Sequence, residues 1–143
     1  LRLQTLYRGR TAENHYIANG IKRITIHADI DVGGYAWARQ GFDFRDKRGL
    51  ENIQARMRAN LGRLQRLGAI DDETDKLTDR AILASKHSWQ LAELRTTKTN
   101  GEVLALGKES MLGSNWYGAK RLTPGSQTVR VGDAYYGEAK KKK

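Results

Sequence analysis

The sequence predicts an α+β fold in one compact domain. Three observations carry this reading. An alternating apolar strand lies between two short helical stretches near the start. A central run of apolar residues recurs at helical spacing. A glycine-rich, basic stretch closes the chain. At 143 residues and 38% hydrophobic, the chain has enough apolar surface for one modest core.

Residues 11–19, TAENHYIAN, read as a short helix capped by Thr11 and stopped by Gly20. Residues 21–28 read as a strand, with Ile24 and Ile26 on one face and Thr25 and His27 on the other. A short helix over 33–40 and a strand at Phe42-Asp43-Phe44 follow. Leu50, Ile53, Met57, Leu61, Leu64 and Leu67 then recur every three or four residues, one face of a helix that Gly68 ends. The acidic run Asp71-Asp72-Glu73-Thr74-Asp75 suits the positive end of a second helix, expected to continue through Leu77, Ile82, Leu83 and Trp89 to Leu94. The two helices are expected to form an antiparallel pair. Beyond Thr96 the chain reads as irregular, with a turn at Pro124-Gly125, short strands, and a lysine tail too charged to pack. The expected organisation is an α/β segment at 1–44, a helical pair at 45–96 and an irregular basic region at 97–143.

The formal net charge of +10 favours an anionic partner, nucleic acid or a phosphate-bearing cofactor. The excess sits in residues 45–68, with seven Lys/Arg against two Asp/Glu, and in residues 97–143, with nine against four. Zero cysteines exclude disulfides and thiolate metal sites and fit a cytoplasmic or virion protein. Histidines scattered at 15, 27 and 87 argue against a structural zinc site. No apolar run is long enough to span a bilayer, so no membrane partner is expected. An opening Leu1 is compatible with an internal start in a longer chain or with processing.

The stretch Ile24–Phe44, ITIHADIDVGGYAWARQGFDF, has two readings. As packing, Gly33-Gly34 turn the chain while Tyr35, Trp37, Phe42 and Phe44 fill a core. Its strand, polar residue, short helix and Trp-x-x-x-Gly-Phe ending also resemble the acetyl-CoA-binding half of the GNAT N-acetyltransferase superfamily, over residues 6–44. Gly34 takes that family's small position, Trp37 its aromatic position and Gly41-Phe42 its terminal pair. The upstream Tyr7-Arg8-Gly9-Arg10 looks like its phosphate-binding turn.

The resemblance implies a GNAT-like β–α–β piece packed on the helical pair, with acetyl-CoA as cofactor. Arg8, Gly9 and Arg10 would hold the phosphates, and Asp29 or Asp31 would stand near the strand splay. Trp37 has only an indole N–H where the family commonly carries a tyrosine hydroxyl, so the implied acyltransferase-like module can be degenerate and non-catalytic. The stretch further resembles parts of minor head proteins and toxins of phages and mobile elements, which implies a virion setting and other virion proteins as partners.

The alternative is a basic structural protein that contacts nucleic acid. Arg48, Arg56, Arg63, Arg66, Lys120, Arg121, Lys140, Lys141, Lys142 and Lys143 would meet phosphates, and Trp116, Tyr117, Tyr135 and Tyr136 would stack on bases. A second alternative rests on Tyr7-Arg8-Gly9, which also resembles the first motif of ADP-ribosyltransferases. That family's later Ser-Thr-Ser and Glu-x-Glu elements have no counterpart here.

Overall fold

The computed structural model describes residues 2–3, 10–28, 34–112, 114 and 116–141. Its architecture is mixed α+β. The first elements are β1 (Arg2–Leu3), α1 (Arg10–Ala18), β2 (Arg23–Ala28), α2 (Gly34–Arg39) and β3 (Asp43–Phe44). The helical middle contains α3 (Lys47–Arg66), α4 (Asp72–Ala84) and α5 (Ser88–Ala92). The last third contains β4 (Thr96–Thr97), β5 (Val103–Leu104), α6 (Leu106–Met111), β6 (Trp116–Arg121) and α7 (Gln127–Lys141).

The main sheet has the order β1-β2-β6-β3. β1 runs parallel to β2, while β6 is antiparallel to both β2 and β3. The two strands flanking α2 are thus parallel to each other with β6 between them. Ile24 and Ile26 are buried as the alternation predicts. On β6 the same period points Trp116, Gly118 and Lys120 inward and leaves Tyr117 and Arg121 exposed. Lys120 is therefore driven into the core, where it is 1% exposed and forms an ion pair with Glu13 of α1, itself buried.

The helical pair forms as expected. Gln65 donates to Asp72 (2.9 Å), Arg58 to Asp79 (2.7 Å), and Gln54 to the Ile82 carbonyl (3.1 Å). Partner numbers rise along α4 as they fall along α3, which makes the helices antiparallel. Asp46 and Asp71 cap their N-termini through the Gly49 and Thr74 amides. Gly68 ends α3 with φ +73°, while the Ala69 amide reaches back to the Leu64 carbonyl (2.9 Å).

Three expectations need correction. First, the second helix does not run to Leu94: it stops at Ala84, and α5 starts separately after His87. The break follows from Asp43, which accepts from both His87 and the Ser88 amide and pulls this segment towards β3. Second, Leu67, Leu77 and Leu83 are exposed. Leu67 lies beyond the last turn of α3, and the inner face of α4 is instead Thr78 and Ile82, with the Thr78 and Thr96 hydroxyls 2.9 Å apart.

Third, residues 97–143 are not an irregular tail. They supply a central strand and a fifteen-residue helix that includes Lys140 and Lys141. Its start is fastened by Thr128, whose hydroxyl donates to the Arg121 carbonyl (2.7 Å) and accepts from the Arg121 amide (3.0 Å).

Two stability predictions follow from these contacts. Removing one partner of a buried ion pair strands the other charge, so Glu13→Ala should cost about 3–5 kcal/mol in urea denaturation. Glu13→Leu combined with Lys120→Met should restore most of that loss. A single-variant cost below about 1 kcal/mol would show the pair to be immaterial.

The Asp71 carboxyl lies below the ordinary 3.8, chiefly through its hydrogen bonds from Thr74. A depressed carboxylate stabilises the fold above its unfolded value, and that contribution disappears as pH falls through the folded value. An NMR titration should place the Asp71 midpoint below 3.8 in the folded protein; an ordinary midpoint would contradict the cap.

Candidate functional site

The short helix α2 sets two polar side chains one turn apart, Tyr35 and Arg39. The Arg39 guanidinium donates to the Tyr35 hydroxyl (2.9 Å) and lies 5.6 Å from the Tyr135 ring centroid on α7. Lys108 of α6 brings its ammonium within 5.4 Å of the Tyr35 ring centroid from another direction. Tyr35, Arg39 and Lys108 line an open cleft of about 690 Å³, with Ala92, Glu93, Leu94, Arg95 and Ala105 forming the remaining wall.

Three cations therefore converge from α2, the segment after α5, and α6, against one carboxylate, Glu93. A glycine makes that convergence possible. The Gly107 amide donates to the Leu94 carbonyl (2.9 Å), and a Cβ at Gly107 would collide with the Leu91 carbonyl oxygen. The start of α6 can thus press onto the end of α5, which brings Lys108 to the cleft beside Arg95.

A smaller cavity of about 240 Å³ adjoins it, lined by Arg39, Trp89, Glu93, Val131, Ala134 and Tyr135. Arg39 and Glu93 belong to both spaces. Trp89, on the lining of the smaller cavity, is stacked on His87 with rings 4.8 Å apart and 8° from parallel. His87 Nδ1 lies 2.6 Å from Asp43 Oδ2, and Asp43 Oδ1 accepts from the amides of Phe44 (2.8 Å) and Ser88 (2.9 Å).

The Asp43, His87 and Ser88 trio is a splice and not a nucleophile site. The Ser88 hydroxyl is fully buried and donates to the Phe42 carbonyl.

The residues around the Trp-x-x-x-Gly-Phe ending are packing residues. Trp37 and Phe42 meet edge to face at 5.1 Å in the core. Gly41 has φ +95°, and a Cβ there would strike the Thr128 carbonyl of α7. A Cβ at Gly34 would strike the Trp116 indole, and one at Gly118 would meet the other end of the same ring at 2.5 Å. The small residue of the motif thus gives room to Trp116. That ring also rests edge-on against Phe44 at 5.0 Å.

The expected site residues are distributed differently from the cleft. Arg8, Gly9, Asp29 and Asp31 lie outside the described residues, and Arg10 is the first residue of α1. Arg48 and Arg66 are exposed at opposite ends of α3. Arg56 donates to the Ser110 carbonyl (2.7 Å) and Arg63 to Asn60 (3.1 Å).

Lys120, expected to meet phosphate, is buried against Glu13, and Trp116, expected to stack on bases, is 3% exposed in the core. Both corrections come from the inward face of β6. Arg121 is exposed, Lys140 and Lys141 fall in the last turn of α7, and Lys142 and Lys143 lie outside the described residues.

Sequence reasoning had missed Arg39, Arg95 and Lys108. Only the Tyr35/Arg39 spacing was a local signal for them. Among the described residues, no group of His, Cys, Asp and Glu could hold a metal, and no helix is long and apolar enough to cross a membrane. Comparison with protein-family models, curated proteins and solved structures gave no match for this chain.

Asp43 joins β3 to the α5 segment by two hydrogen bonds, to His87 and the Ser88 amide, so Asp43→Ala should lower stability by about 2–3 kcal/mol in denaturant titration. The same change should loosen the Trp89 stack, read as a red-shifted fluorescence spectrum. An unchanged midpoint and spectrum would remove Asp43 from this anchoring role.

Proposed function

We propose that this chain is a binding module for a small phosphate-bearing ligand held in the basic cleft. The single observation that carries this reading is the convergence of Arg39, Arg95 and Lys108 on one concavity of about 690 Å³. That volume falls in the range of small-ligand pockets. Guanidinium groups suit the planar, multidentate recognition of phosphate oxygens, and a lysine adds a compact point charge. A nucleic-acid surface is less well supported. Of the basic side chains expected to form one, Lys120 is buried, Arg56 and Arg63 hydrogen-bond within the fold, and among the other described ones Arg48 and Arg66 lie at opposite ends of α3, Arg121 on β6, and Lys140 and Lys141 on α7.

The acyl-transfer reading gains one observation and loses another. The Tyr35 hydroxyl lies at the cleft and accepts from Arg39, so a proton-bearing oxygen does exist two residues before Trp37. Yet β6 occupies the space between β2 and β3, and the cleft lies among α2, α5 and α6. Acetyl-CoA therefore enters as one member of the phosphate-bearing class.

Inorganic pyrophosphate should raise the unfolding temperature of the protein in a concentration-dependent way, by about 2.7 kcal/mol of stabilisation at a hundredfold excess over Kd. Arg95→Ala with Lys108→Ala should weaken binding tenfold or more without lowering the ligand-free unfolding temperature, because both side chains are exposed. No shift at millimolar pyrophosphate would overturn the proposal. So would salt-sensitive DNA or RNA binding that survives the double substitution while pyrophosphate binding is absent.

A further inference from the structure

We infer that the ligand is a nucleoside diphosphate, bound along both cavities with its phosphates in the basic cleft and its base against Trp89 and Tyr135. The inference rests on the phosphate-binding reading above and identifies its ligand. None of these side chains is among those the family resemblance assigns.

The two linings define three chemical zones. The first is the cationic cleft, with Arg95 and Lys108 on its wall. The second is the junction, where Arg39 and Glu93 line both spaces. The third is the smaller cavity, about 240 Å³, whose remaining lining is Trp89, Val131, Ala134 and Tyr135. That lining is aromatic and aliphatic, so it suits a flat, weakly polar ring.

Glu93 decides between ligand classes. A ligand that was phosphate throughout would bring negative charge against this carboxylate, which is unfavourable. A carboxylate accepts hydrogen bonds and gives none. A hydrogen-bond donor at the junction, placed between an anionic end and an apolar ring, suits this carboxylate. The ribose of a nucleotide meets each condition: its hydroxyls donate, its 5′ side carries phosphate and its 1′ side carries the base.

The aromatic end is held rigidly for that task. The His87 ring is stacked on Trp89, and His87 is itself fixed by Asp43. Arg39 is shared by the Tyr35 hydroxyl and the Tyr135 ring, which links the phosphate cleft to the ring cavity through one side chain.

Calorimetric titration of the full chain with inorganic pyrophosphate, ADP and 2′,3′-dideoxy-ADP tests the assignment. ADP should bind about tenfold or more tightly than pyrophosphate, the contribution of one base–aromatic stack. The dideoxy analogue should lose part of that gain, and Glu93→Gln should narrow the difference between the two nucleotides. Ala134→Trp, which fills the smaller cavity, should bring ADP down to within twofold of pyrophosphate while pyrophosphate binding stays unchanged. If that variant misfolds, Val131→Trp, which fills the same cavity without removing a contact of Arg39, replaces it, with retained pyrophosphate affinity as the measure of an intact cleft.

Equal affinities of the wild-type chain for ADP and pyrophosphate would overturn the nucleoside assignment and leave the phosphate site standing. An ADP preference that survives with either variant well folded would also overturn it. Failure of both ligands to bind would remove the phosphate reading and this one with it.

Discussion

The buried ion pair between Glu13 and Lys120 is the constraint on which the arrangement of this fold depends. A lysine on the inward face of a central strand cannot remain charged there without a partner, and a carboxylate on α1 is the group that meets it. The pairing joins the first helix to a strand more than a hundred residues away. It also dictates what can lie around the ammonium. The Phe42 ring centroid is 5.9 Å from Nζ, and α7 crosses at Gly132, where any Cβ would press on the lysine and lie 2.7 Å from the Gln40 carbonyl. The lysine thus explains a glycine in the middle of a helix, where glycine otherwise costs about 1 kcal/mol relative to alanine.

From that crossing the cleft takes its shape. Because α7 packs close to the end of α2, Tyr135 comes within reach of Arg39. Gly41, in the left-handed region, gives the same approach from the other side by receiving the Thr128 carbonyl. The second fixed wall comes from Asp43, which draws α5 onto β3 and carries Trp89 and the segment 93–95 with it. Two buried or half-buried carboxylates, Glu13 and Asp43, therefore position the cationic side chains without touching the ligand space themselves.

How much of this was legible in the sequence depends on the range over which each feature is determined. α3 and the start of α4 could be read because their signals are local: apolar residues at helical spacing, acidic caps and a terminating glycine. β2 was legible for the same reason, since a period of two is visible within six residues. β6 and α7 were hidden. Lys120 broke the apolar alternation of the strand, and Gly132 and Gly137 weakened the helical pattern. Both departures make sense only once Glu13 and the α7 crossing are known, and those contacts are non-local. The cleft was hidden similarly: Arg95 and Lys108 are brought together by Gly107 docking on Leu91, a close approach that leaves no periodic trace.

The net charge alone does not say which residues could meet an anion. Counting lysines and arginines weights every cation equally, whereas the fold divides them by task. Lys120 neutralises a buried acid, Arg58 pairs with Asp79 between two helices, and Arg56 binds a backbone carbonyl. These charges are absorbed by the structure, and none of them is a simple outward contact for an anion. In the cleft the balance is reversed: three cations face one carboxylate, and Glu93 is exposed there alongside Arg95 and Lys108. Of these cations, Arg39 is held in place by the Tyr35 hydroxyl and the Tyr135 ring. The proposed phosphate-bearing ligand therefore rests on this local imbalance in a concave setting, and not on the +10 of the whole chain.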